Sequence, residues 1–454
     1  MNKRTVLTGA LTVGALAAHA KAPAVQPNIL IIYTDDMGVG DVSFLNSGWV
    51  ATPNIDRLAR EGLVVRNYYS AAPVSSPSRA GLTTGMCPLQ VGITCYLQTR
   101  AGNARIGQAD WLDPSFPSMA RAMKEAGYAT GHFGKWHMGG GRDVKNAPSI
   151  TSYGFDEYVS TWESPDPDPL ITGDPKWIWS PRDSIKRWDR TAYFVEKTLD
   201  FMARNTDRPC FVNLWPDDMH TPWVPSGPFV DNEKSWTTEP NFRQTLAEYD
   251  RQIGLLIEGL ERLGIAERTV VIFSSDNGPN PSFERQRTNG LRGMKCSLYE
   301  GGIRMPLVVR WKGHVKAGAV DRTTVLGAVD LLPSLCAIAG ARLPEGFDYG
   351  GEDMSRALLG TPCKRSTDLK WDFGHNRFYN FPPTDRSPGL AIRRGEWKLI
   401  MNEDGSGAEL YNLRLDEKES RDVASRNPRI VAELRSELLA FWGKRLVPPA
   451  QARK

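Results

Sequence analysis

Two pairs of oxygen-bearing residues, Asp35-Asp36 and Asp276-Asn277, each close a short apolar run and are the groups in this chain best suited to gather around a cation. Carboxylates crowded into one place repel unless a positive charge neutralises them. An all-oxygen set of several carboxylates and an amide selects a hard divalent ion, calcium best and magnesium next. Ser75-Ser76-Pro77-Ser78-Arg79 supplies a second kind of chemistry. Its composition predicts a helix start, with Ser76 as cap and Pro77 at the first helical position. The positive end of that helix would face a bound anion, and Arg79, four residues after Ser75, projects from about the same face. An unmodified serine is a weak nucleophile at neutral pH, so Ser75 needs an adjacent base or metal to react. Three further positions suit anion or proton handling: Lys135 and His137 in a glycine-rich loop, His220 before Thr221-Pro222, and Lys295 after Gly293-Met294.

These residues need elements to hold them. The apolar runs 28–33, 209–215 and 269–275 read as buried strands, and each delivers acids at its carboxyl end: Asp35-Asp36, Asp217-Asp218 and Asp276-Asn277. Helical periodicity at 55–61, 118–126 and 242–263 separates them. Alternating strands and helices predict an α/β fold with a doubly wound, mostly parallel sheet, whose polar site forms beyond the carboxyl ends of the strands. Near residue 369 the pattern changes. Residues 390–400 and 409–413 flank the turn Asn402-Glu403-Asp404-Gly405-Ser406-Gly407, a hairpin signal, and 428–445 carry Ile430, Val431, Leu434, Leu438 and Phe441 on one helical face. The expected organisation is a catalytic α/β domain over 21–368 and a smaller α+β subdomain over 369–454.

Residues 1–20 read as a secretory signal peptide: Lys3 and Arg4 precede an apolar run at 6–18, and Ala18-His19-Ala20 offers a small-x-small cleavage site. The run is shorter than the roughly 20 apolar residues that span a bilayer, so a membrane anchor is not expected and the mature protein is placed in a bacterial periplasm or outside the cell. Net charge is +4 over 454 residues, which gives no general electrostatic case for nucleic acid or a membrane surface. The six cysteines show no zinc-type spacing; whether Cys87 and Cys95 pair is open.

Taken together these segments resemble the type I, formylglycine-dependent sulfatases of the alkaline phosphatase-like superfamily. Ser75-Ser76-Pro77-Ser78-Arg79, followed by Thr84-Gly85, is similar to that family's signature; Gly134-Lys135-Trp136-His137-Met138-Gly139, His220-Thr221-Pro222 and Leu291-Arg292-Gly293-Met294-Lys295 are similar to its other hallmarks, as are Thr52-Pro53-Asn54-Ile55-Asp56-Arg57-Leu58 and Glu409-Leu410-Tyr411-Asn412-Leu413. The resemblance implies oxidation of Ser75 to formylglycine, whose hydrated form attacks sulfur, on a metal held by Asp35, Asp36, Asp276, Asn277 and the modified residue 75. It assigns Arg79 to steadying the nucleophile, Lys135 and Lys295 to the sulfate oxygens, His137 to the formylglycine hydroxyl and His220 to the leaving alcohol. Serine rather than cysteine at position 75 implies a radical-type anaerobic maturase that acts on serine.

The substrate implied is a sulfated oligosaccharide, with sulfated galactose or N-acetylhexosamine suggested by family habit. Residues 142–190 form an insertion with Trp162, Trp177, Trp179 and Trp188 among prolines and charges, whose rings either stack on sugars or pin the loop. Trp223, three residues after His220, is the aromatic most expected beside the sugar. Two alternatives stay open: a phosphomonoester, phosphodiester or phosphonate hydrolase of the same superfamily, most of which use a second metal where Lys135 and Lys295 stand here, and a non-catalytic glycan-binding protein.

Overall fold

A computed structural model describes residues 26–46, 48–173, 178–226, 237–373 and 385–446; the segment read as a signal peptide and Trp177 lie outside them. Nine strands make one sheet: β1 (Asn28–Thr34), β2 (Leu63–Tyr69), β3 (Ala129–Gly134), β4 (Glu157–Ser160), β5 (Cys210–Trp215), β6 (Thr269–Ser275), β7 (Arg304–Met305), β8 (Val308–Arg310) and β9 (Ala319–Gly327). Their order is β4-β3-β5-β1-β6-β8-β2-β7, with β9 beside β2. β1 pairs in parallel with β5 on one side and β6 on the other. Chain excursions to both sides of β1 create a switch point at its carboxyl end, where such sheets place their ligands.

The apolar runs are explained by burial on both faces. Ile29, Ile31 and Tyr33 pack into one core with helices Ser75–Thr84, Met119–Glu125 and Leu331–Ala339, while Leu30 and Ile32 pack into another with helices Pro53–Glu61, Arg190–Arg204 and Glu239–Arg262. The sheet is therefore doubly wound and mostly parallel, as expected. β4 was not foreseen: it lies inside the insertion 142–190 and pairs in parallel with β3 as an edge strand. Among the described residues no helix is long and apolar enough to cross a membrane. All six cysteines are free, so Cys87 and Cys95 are not paired.

The C-terminal region forms an antiparallel sheet of β10 (Leu369–Asp372), β11 (Leu390–Arg394), β12 (Trp397–Met401) and β13 (Glu409–Asn412). Residues 390–400 are two strands rather than one hairpin arm. The chain reverses at Arg394-Gly395-Glu396-Trp397, where Gly395 adopts φ 58°, a left-handed conformation that glycine takes without steric cost. The helix Pro428–Trp442 covers this sheet with Val431, Leu434, Leu438 and Phe441.

A buried triad ties β12 to Glu300, just before β7 of the large sheet. Lys398 Nζ lies 2.9 Å from Glu300 and 2.8 Å from Glu419. One cation thus serves two buried carboxylates. Burial and the neighbouring Glu300 push Glu419 up from near 4.5 to about 7 against the pull of Lys398. A carboxyl raised in the folded state holds its proton more tightly folded than unfolded, so its effect on stability falls as pH rises from about 4.5 to 7 and levels off above. Glu419→Gln is expected to flatten that slope, on the order of 1–3 kcal/mol, in denaturation midpoints measured from pH 4.5 to 8. An unchanged slope would locate the titration elsewhere.

Candidate active site

The carboxyl ends of β1 and β6 place Asp35, Asp36 and Asp276 side by side, all with no solvent exposure, and one oxygen of each lies within 4.8 Å of the others. Asp36 N–H donates to Asp276 Oδ1 at 3.1 Å, which fixes the two strand ends against each other. Asn277 Nδ2 donates to Asp36 Oδ1 at 2.7 Å, leaving its amide oxygen turned toward Ser75. The donor set of three carboxylates and an amide oxygen fits a hard divalent cation.

Ser75 enters from β2 through residues 70–74. The helix begins at Ser75 itself: Val74 is the extended N-cap, Ser78 N–H bonds the Val74 carbonyl at 3.2 Å, and Pro77 is the third helical residue rather than the first. Ser76 does not cap; its Oγ accepts from Leu97 N–H. Ser75 Oγ donates to Asp35 Oδ1 at 3.0 Å and lies 3.3 Å from Asn277 Oδ1, at the positive end of a ten-residue helix that is buried throughout.

Cations surround the acids. Arg79, also fully buried, donates to Asp276 Oδ2 at 2.7 Å and to the Lys135 carbonyl at 3.1 Å, and lies 3.4 Å from Asp35. Lys135 Nζ is 2.8 Å from Asp35 Oδ2 and 3.5 Å from Ser75 Oγ. Gly134 makes that position reachable: at φ 130° any Cβ there would lie 2.1 Å from the Trp215 carbonyl oxygen. Lys295 Nζ bonds Asp36 Oδ2 at 2.8 Å. Burial raises the Asp35 carboxyl, yet Lys135, His220, Arg79 and Lys295 together hold it well below the usual range. Asp276 responds oppositely: burial and then Asp35 push it up to about 7 despite Arg79.

The two histidines differ. His220 Nε2 is 3.8 Å from Asp36 Oδ2, while its Nδ1 lies 2.6 Å from the Thr221 carbonyl, so Nδ1 carries a proton and Nε2 faces the site. His137 is buried, with its ring nitrogens facing Glu163 Oε2 at 3.3 Å and the Leu97 carbonyl at 3.4 Å. Burial lowers His137 to about 3 against the pull of Glu163, keeping the imidazole neutral.

Trp223 does not serve as a sugar platform. It is fully buried, its indole N–H donates to the Met219 carbonyl, and its ring packs on Phe242, Phe283 and the Arg287 guanidinium. Trp162 and Trp179 are likewise buried, in a small cluster with Ile178 and Val224 that pins the insertion.

A family model for sulfatases matches residues 27–341. The chain belongs to the sulfatase family. This sulfatase is accordingly a sulfuric ester hydrolase of the alkaline phosphatase-like superfamily. A second family model, described as N-sulphoglucosamine sulphohydrolase, C-terminal, matches residues 294–442. Relatives include an N-acetylgalactosamine-6-O-sulfatase of Bacteroides thetaiotaomicron, 29% identical over 91% of this chain and 92% of that one, and human N-acetylgalactosamine-6-sulfatase, 32% identical over 73% and 66%. A solved Bacteroides thetaiotaomicron structure described under glycosaminoglycan metabolism superposes with a TM-score of 0.75 at 26% identity, over 92% of this sulfatase and 100% of that chain. A phosphonate monoester hydrolase of Agrobacterium radiobacter shares the fold at TM-score 0.65 and 20% identity, over 93% and 96%.

Sequence reasoning missed Glu163, which bridges His137, Lys135 at 3.9 Å and Arg142 at 3.0 Å; it stands in an irregular loop with no periodicity to mark it. It also missed what Asp217 does. Arg187 binds Asp217 Oδ2 at 2.5 Å and the His220 carbonyl at 3.0 Å, and Arg190 binds the same carboxylate at 2.9 Å, so this acid shapes the loop that presents His220 instead of joining the cluster.

Proposed function

We propose that this sulfatase hydrolyses sulfate esters on a glycan, with a 6-sulfated N-acetylhexosamine unit as leading substrate and sulfated galactose next, through a formylglycine made from Ser75. The observation that carries the reading is the convergence of Ser75 on Asp35 and Asn277, within a cluster of Asp35, Asp36 and Asp276 whose carboxylates also bind the Lys135 and Lys295 ammonium groups. Two lysines against the acid cluster favour a singly charged sulfate ester over a second metal and a phosphate, although the fold itself is shared with a phosphonate hydrolase. The relatives named for N-acetylgalactosamine 6-sulfate support the sugar.

Asp35, Asp36, Asp276, Asn277 and residue 75 would hold a calcium ion, which would neutralise the carboxylates and polarise a sulfate oxygen, while formylglycine supplies the reactive hydroxyl that serine lacks. The chain's own side chains do the rest. Lys135 and Lys295 bind and orient sulfate oxygens; Arg79 fixes Asp276 and the Lys135 backbone; Glu163 holds the His137 ring. His220 faces the cluster through Nε2. When the ring also takes up a proton there, which burial and Lys295 oppose and Asp36 and Asp35 favour, that imidazolium can pass the Nε2 proton to a departing sugar alkoxide and return to the neutral Nδ1–H form.

The proton role is testable. His220→Ala should cut kcat on alkyl sugar sulfates by about 10²–10⁴-fold and on an activated aryl sulfate by much less, since a phenolate leaves unaided. Equal losses would move the acid role to Lys295. The reading as a whole is tested by measuring sulfate release from regiochemically defined sulfated mono- and disaccharides, with mass spectrometry of the Ser75 peptide from protein made alongside a serine-type maturase. Turnover with loss of two hydrogens at Ser75 supports it; phosphate-ester turnover, or turnover with intact serine, overturns it.

A further inference from the structure

A cleft of about 1040 Å³ lies away from the catalytic constellation, between the β2, β7 and β9 edge of the main sheet and β11 of the C-terminal sheet. Among the described residues, eight arginine and lysine side chains line it against three carboxylates. Several of these cations are already spoken for: Arg394 pairs with Asp368 and Arg414 with Glu396. Arg66, Arg322, Lys364 and Arg393 form no ion pair among the described residues. Arg393 is 5% exposed and sits over the Tyr69 ring; its Nε donates to the Gly395 carbonyl, and neither terminal nitrogen finds a hydrogen-bond acceptor among the described residues. Burial lowers Arg393 to about 9, and burial together with Arg304 and Arg322 lowers Arg66. Like charges held together at a cost in a fold point to an anionic partner.

We propose that this cleft is a second binding site for a sulfated oligosaccharide segment lying outside the reacting unit. The inference rests on the glycan-sulfatase reading above. Guanidinium forks match the oxygens of a sulfate group bidentately, and Asn67, Thr323, Ser366 and Thr367 on the same walls offer partners for sugar hydroxyls. The volume and the spread of unpaired cations over β2, β9, the 362–368 segment and β11 exceed what one sulfate ion could satisfy. Among the described residues that line the cleft none is aromatic, whereas single-stranded nucleic acid is held by aromatic stacking platforms. Tethering one segment of a chain here raises the effective concentration of its other sulfated units at Ser75.

The test uses the Ser75→Ala full chain, so that no turnover consumes the probe, and a fluorescent chondroitin 6-sulfate decasaccharide. Adding Arg66→Ser, Arg322→Ser and Lys364→Ser should weaken binding about tenfold and flatten its salt dependence, with an unchanged melting temperature. Arg322→Glu with Lys364→Glu should weaken it further. Desulfated decasaccharide and free sulfate should not compete at matched concentration. Equal affinity with and without the triple substitution, or equal competition by a single-stranded oligonucleotide of matched charge, overturns the proposal. In matured enzyme the triple substitution should leave turnover of a sulfated monosaccharide unchanged. Absence of saccharide turnover sinks the catalytic reading, while the binding comparison, which needs no turnover, decides the cleft independently.

Discussion

Replacing Ser75 by alanine is expected to abolish sulfate release, by at least about 10⁴-fold in kcat, while leaving a folded protein. The side chain removed is a single hydroxyl donating to Asp35 and lying beside Asn277. Loss of such a bond costs about 1 kcal/mol of stability, small beside a domain of this size. The Lys135 and Lys295 ammonium groups stay in place, so calorimetry should still register binding of a sulfated saccharide when turnover is gone. Activity retained within tenfold of the parent would remove Ser75 from the chemistry and leave the acid cluster without a nucleophile. Ser75→Cys sharpens the test, because a cysteine-directed oxidase should restore turnover to that variant and not to the parent.

Arg79→Met should produce the largest loss of stability, about 3–5 kcal/mol. The guanidinium is wholly buried, holds Asp276 at 2.7 Å and Asp35 at 3.4 Å, and lies over the Trp215 ring at 5.2 Å. Methionine fills part of the volume but leaves the carboxylates facing one another in a medium that cannot solvate them. Burial and Asp35 already push Asp276 up to about 7; without Arg79 it rises further, so the variant should be comparatively less impaired at pH 5.5 than at pH 8. Chemical denaturation at the two pH values reads this directly, and calcium should recover part of the loss at pH 8. A variant within 1 kcal/mol of the parent at both would show that the carboxylates do not depend on Arg79. Arg79→Lys should recover little, since an ammonium cannot span Asp276 and the Lys135 carbonyl as the fork does.

The sheet and the acid cluster were legible because their signals are local. An apolar run ended by Asp35-Asp36 can only be a buried strand delivering charge to an edge, and β6 repeats the pattern. The misreadings share a cause: side-chain direction is set by tertiary packing, which spacing does not encode. Trp223 lies three residues from His220, yet its ring turns into the core against Phe242. Asp217 ends a strand as Asp35 does, yet two arginines from an insertion claim it. Glu163 and β4 sit in that same insertion, where irregular backbone hides both periodicities. The hairpin across Asn402 to Gly407 forms as expected, between β12 and β13, while the second reversal at Arg394-Gly395-Glu396 was missed because it is a less conspicuous turn.

Ser75 is 2% exposed, on a helix buried from end to end, and the residues just before it are tied down where Cys296 N–H bonds the Pro73 carbonyl. An enzyme cannot dock on a side chain so placed. The proposed oxidation of Ser75 would therefore have to take place on a nascent or unfolded chain, before folding buries the side chain. On that proposal the fold sets a deadline: a molecule that folds before oxidation would keep its buried serine and stay without the reactive group.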